Sequence, residues 1–85
     1  MDYIYVVTRD SFVAYEGSDI ENIGVFDNLA QAIEETEKYL NSKKNYKYKT
    51  YRHDNLIQFI EDTKKGYGDN YYIERLELNK IKETE

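Results

Sequence analysis

The sequence predicts a single α+β domain: a small, mainly antiparallel sheet of three or four strands with two helices packed on it, in the order ββα, edge strand, α, β. Three observations predict it. Residues 3–8 and 20–26 are runs of β-branched and aromatic side chains. Residues 29–41 repeat apolar side chains at helical spacing behind a capping residue. A chain of 85 residues is too short to divide its apolar surface between two self-sufficient cores.

The opening run, Tyr3-Ile4-Tyr5-Val6-Val7-Thr8, is apolar on both faces and belongs in the middle of the sheet. Residues 9–19 place Asp10, Ser11, Gly17, Ser18 and Asp19 around an apolar island, Phe12-Val13-Ala14-Tyr15, which reads either as a long connection or as continued strand. In both cases residues 20–26 return antiparallel to the first strand, and Gly24 marks a bulge or a close backbone approach. Asn28 can cap a helix that starts at Leu29, with Gln31 completing a weak capping box. Leu29, Ile33 and Leu40, with Ala32 and Thr36 between them, form its inner stripe, and Glu34, Glu35, Glu37 and Lys38 its outer face. The helix ends near Asn41 or Ser42 and is expected to pack on Val6, Val25 and Leu76.

Residues 46–51 alternate at period two, with Tyr46 and Tyr48 on one face and Lys47 and Lys49 on the other, as in a short edge strand. Asp54 can cap a second helix over residues 55–65, with Leu56, Ile57, Phe59 and Ile60 inward and Gly66 beyond its end. Gly66-Tyr67-Gly68-Asp69-Asn70 reads as a turn. Residues 71–78 form the last strand, with Tyr72, Leu76 and Leu78 on one face and Tyr71, Ile73 and Arg75 on the other. Residues 79–85 read as a frayed, charged tail.

Composition narrows the chemistry. Cysteine is absent, which removes disulfides, zinc-thiolate sites and cysteine nucleophiles. The start Met1-Asp2-Tyr3 lacks the basic stretch and apolar run of a signal peptide, and no segment reaches the ~20 apolar residues of a membrane helix, so a soluble, cytoplasmic protein is expected. Net charge is −5, from 17 acidic and 12 basic residues, but it is segregated. Residues 43–53 hold Lys43, Lys44, Lys47, Lys49 and Arg52 without an acid, leaving 7 basic against 17 acidic residues, or −10, elsewhere.

Candidate chemistry is sparse. His53 is the single histidine, and it sits beside Asp54 in what reads as a loop rather than a catalytic or metal site. Carboxylates cluster at Glu34-Glu35-Glu37, Glu61-Asp62 and Glu74 with Glu77, none at the spacing of a calcium loop. The glycines at 66 and 68 follow a predicted helix and precede a strand, the reverse of a phosphate loop. The basic strip is the unusual feature. Tyr46, Tyr48 and Tyr51 interleaved with cations are residue types that stack bases and follow phosphates, that anchor protein interfaces, or that simply form a solvated edge strand.

Three segments, Tyr3-Ile4-Tyr5-Val6-Val7, then Ile23-Gly24-Val25-Phe26 running into the helix at residues 28–33, and Tyr72-Ile73-Glu74-Arg75-Leu76-Glu77-Leu78, together resemble an uncharacterised family of small bacterial and phage proteins. Members share a two-stranded opening, a helix and a final strand. The chain departs from that pattern in residues 43–68, which members mostly replace with a short loop. The resemblance implies a fold and carries no catalytic residues; the phage origin it suggests implies an inhibitor of a host defence protein.

The expected function is therefore a non-catalytic binding protein that needs no cofactor and no metal. It would engage a protein partner through Tyr46, Lys47, Tyr48, Lys49, Tyr51 and Arg52 and through Glu34, Glu35 and Lys38 on the helix. The alternatives are a nucleic-acid-binding accessory protein that uses residues 43–53 and a small hydrolase built on scattered carboxylates.

Overall fold

The computed structural model describes residues 3–78. Its elements are β1 (Tyr3–Val13), β2 (Gly17–Phe26), α1 (Leu29–Asn41), β3 (Tyr48–Arg52), β4 (Leu56–Glu61) and β5 (Tyr67–Glu77). All five strands form one antiparallel sheet in the order β2-β1-β5-β4-β3, and α1 covers one face. The fold is thus mostly β, with one helix where two were expected and five strands where three or four were expected. The frayed tail expected at residues 79–85 lies outside the described residues.

The second helix is the main correction. Leu56, Ile57, Phe59 and Ile60 satisfy helical spacing, but the same run also alternates about a strand axis. In β4, Ile57 and Phe59 turn to the helix side and are buried, at 6% and 0% exposure, while Leu56 and Ile60 face the other way. Asp54 and Asn55 then belong to a hairpin turn instead of a cap, closed by a hydrogen bond from the His53 amide to the Leu56 carbonyl. Residues 66–70, read as a turn, mostly belong to β5, which starts at Tyr67. Gly68 is required there by crowding rather than by a turn. A Cβ at that position would stand 2.6 Å from Glu61 Oε1 and 3.1 Å from Phe12 Cζ.

The first half of the chain follows expectation more closely. Residues 9–19 extend both strands of the hairpin, so that β1 pairs with β2 on one side and with β5 on the other over almost its full length. The register slips between Val7 and Thr8, opposite Ile23 and next to Gly24. The Gln31 amide donates to Asn28 Oδ1 at 3.0 Å, so Asn28 caps α1 as its sequence position suggests.

The core lies between α1 and the sheet: Val7, Ala32, Leu40, Ile57, Phe59, Tyr71 and Ile73, with Thr36 the one buried polar residue among the described residues. Ala32, Thr36 and Leu40 form the helix seam; Leu29, expected inside, is 40% exposed, and Ile33 packs at the margin. The expected sheet partners were also on the wrong face. Alternation along β1 sends Val7 inward and Val6 outward, and pairing carries Val25 out with Val6 and Leu76 out with Ile4. The molecule measures 41 × 31 × 20 Å, its smallest dimension being that of one sheet plus one helix. The second sheet face has no layer upon it among the described residues.

Candidate functional site

The structure divides the tyrosine-rich basic strip into parts with different jobs. Tyr46 and Tyr48 lie half-buried against the core, Tyr48 with its ring 5.8 Å from Phe59 and its hydroxyl donating to Asn41 Oδ1. Lys47, Lys49, Tyr51 and Arg52 are exposed on or beside β3, which is an edge strand as expected. Alternation along β3 turns Lys49 and Tyr51 to the uncovered face and Arg52 to the helix side. Glu34, Glu35 and Lys38 are exposed on the outer surface of α1, away from that strip.

Lys43 is the strip's exception, because it turns inward. Its Nζ donates to the Tyr71 hydroxyl at 2.7 Å, lies 3.5 Å from Asp69 Oδ2, and sits 5.5, 4.9 and 5.1 Å from the ring centres of Tyr39, Tyr46 and Tyr71. Burial pulls this ammonium toward neutrality. The bond to Tyr71 and the fields of Tyr71, Tyr39 and Asp69 outweigh that pull, and its pKa ends above the ordinary value. Burial also raises the Tyr46 and Tyr71 hydroxyls. The rings of Tyr39 and Tyr46 meet Tyr71 edge-on at 5.8 and 6.0 Å. Asp69 is held by Ser11 at 2.7 Å, its amide donates to Glu61 Oε1 at 2.8 Å, and its carbonyl accepts from Tyr46. Every member of the cluster already has a partner, so it locks the segment after α1 onto β5.

A groove of about 270 Å3 opens between α1 and β2. Its floor is Val7, Gly24 and Phe26, its helix wall is Thr36 and Tyr39, and Ile23 and Glu35 stand at its lip. Gly24 keeps it open, since a Cβ there would come within 3.2 Å of the Phe26 ring. Ile23 and Tyr39 remain 39% and 42% exposed at its mouth. Below ~300 Å3 such a recess is small for a metabolite and suits one apolar side chain. The sequence signals for it were the bulge glycine and the acidic helix face; their adjacency was not legible, because it depends on the tilt of α1 over β2.

The uncovered sheet face is the third feature. Ile4, Val6, Phe12, Leu56, Ile60 and Leu76 point to it beside Tyr72, with Asp10, Glu74 and Lys49 its charged groups on the strands. Asp10 Oδ1 is buried without a hydrogen-bond partner among the described residues. His53 is exposed with Nε2 3.1 Å from Gln58 Oε1. Among the described residues no three His, Cys, Asp or Glu side chains are grouped to hold a metal ion, and no helix is long and apolar enough to cross a membrane. No family model, curated protein or solved structure matches the chain.

Proposed function

We propose that this is a non-catalytic protein-binding domain whose partner surface is the acidic outer face of α1 together with the apolar groove beside it. The groove carries the reading: an apolar recess of one side chain's size with Glu35 at its lip, and Glu34 a residue away on the same exposed helix. Its occupant is a basic protein segment that inserts one aliphatic or aromatic side chain and sets Lys or Arg against the carboxylates. A domain of this kind acts by occupancy, which is how a phage-borne inhibitor of a host defence protein in the bacterial cytoplasm would work.

The nucleic-acid reading loses its main support in the division of the basic strip. Tyr46 and Tyr48 stack on protein, Lys43 is consumed internally, and the face that Lys49 and Tyr51 share with the sheet also carries Asp10 and Glu74.

Basic peptides with a central Leu or Phe, and the same peptides with Ala there, test the proposal by NMR titration. The amides of Ile23, Gly24 and Thr36 should shift with the anchored peptides alone, and Glu35→Lys with Glu34→Lys should weaken binding at least ~10-fold while leaving the fold intact. Equal shifts with the Ala peptides, or tighter binding of a labelled single-stranded oligonucleotide, would overturn it.

A further inference from the structure

We propose that the uncovered sheet face is a self-association surface, on which a second copy of this chain packs about a twofold axis running along the strands between β5 and β4. The surface is distinct from the groove beside α1 and does not depend on it.

A sheet with one solvated face alternates apolar and polar residues along its strands. Here β1 and β4 are apolar on both sides: Val7 and Ile57 line the core while Val6 and Leu56 face outward. Such a face is built to be covered.

Charge selects a second copy as the occupant. Register places Ile20, Asp10, Asn70, Ile60 and Lys49 in one row across the five strands, the Asn70–Ile60 step lying one residue past the last paired positions of β4 and β5. The row holds one anion and one cation three strands apart, about 14 Å at the usual strand spacing, too far to pair within a chain. Asp10 has no ion pair or side-chain hydrogen bond among the described residues, its Oδ1 being enclosed by its own chain, while Lys49 is exposed on the edge strand. Glu74, the other carboxylate on this face, already engages its own chain.

The proposed axis maps β5 onto β4 and β1 onto β3 of the second copy. Lys49 of each copy then stands over Asp10 of the other, so one operation makes two equivalent ion pairs. Thr8 falls opposite Tyr51, and Tyr72 opposite Gln58, in the row alongside. Aligned sheets cross at roughly 30°, a rotation that the reach of a lysine side chain absorbs. Strand β2 overhangs the overlap, which leaves the groove beside α1 open in the dimer.

Sedimentation equilibrium between about 1 μM and 1 mM tests this. The parent chain should reach twice the mass of one chain within that range. Lys49→Asp, on an exposed strand position, should raise the dimer dissociation constant ~10-fold or more, and Asp10→Lys combined with Lys49→Asp should return it to within ~3-fold of the parent. Asp10→Asn guards against misfolding of the double variant, and should weaken the dimer with an unchanged circular dichroism spectrum. A chain that stays monomeric at 1 mM, or a dimer indifferent to both Lys49→Asp and Asp10→Asn, would sink the proposal and leave the face to a different protein.

Discussion

Single side chains in this protein act mostly through a proton or a backbone angle. In the cluster around Lys43, the Tyr46 and Tyr71 hydroxyls are raised above 10.0 chiefly by burial, so above pH ~10 the unfolded chain loses protons that the folded chain keeps. Lys43, raised above 10.5, contributes stability that is complete below that value and lost as pH climbs through its folded-state pKa. Both effects have the same sign. The melting temperature should be flat from neutrality to about pH 10 and fall beyond it; Tyr46→Phe should melt lower at pH 7 but lose less on going to pH 11. An unchanged alkaline slope in Tyr46→Phe would mean that this hydroxyl is not the titrating group. Tyr15 presents a different case. It is fully exposed at the hairpin tip with φ +69°, a conformation that costs a side chain with a Cβ about 1 kcal/mol and that asparagine tolerates better. Tyr15→Asn should therefore raise the melting temperature by a few degrees in a thermal scan. Little of the Lys43 cluster was legible beforehand: Tyr39 and Lys43 are four apart in sequence, but Asp69 and Tyr71 join them through β5, a pairing that no local pattern specifies. In the sequence Lys43 reads only as one of the five cations of the basic strip.

At the level of elements, α1 was legible because three local signals agree: the Asn28 cap, the apolar spacing and the charged outer face. In β4 the signals conflict. Its apolar pattern admits both periods, and the deciding interaction is the pairing of Ile57 with Ile73 and of Phe59 with Tyr71, across residues 62–66, whose Gly66 equally suits a helix end. The β4–β5 hairpin has its own test at Gly68. Gly68→Ala should push the Glu61 carboxylate off the Asp69 amide and cost about 1 kcal/mol in a denaturant melt. Gly24→Ala should cost less, since its Cβ meets only the edge of the Phe26 ring, while partly closing the groove to a docking side chain. In α1, Leu40→Ala removes a side chain with no exposure and should cost ~2 to 5 kcal/mol by thermal denaturation, whereas Leu29→Ala, at the rim, should cost clearly less. The reverse order would place the seam where the sequence spacing first put it.

Across the whole molecule, one strand carries a disproportionate share of the connectivity. β5 is made last yet lies at the centre of the sheet, where Tyr3 pairs with Glu77 at one end of the ladder and Val13 with Tyr67 at the other. During synthesis the β1–β2 hairpin, α1 and the β3–β4 hairpin emerge with their inner faces unpaired, and none of them contacts enough of the others to fold alone. The domain is expected to gain its cooperative structure only after the ribosome has released β5, and refolding from denaturant should be slow for a chain of this size because its decisive contacts close the longest loop.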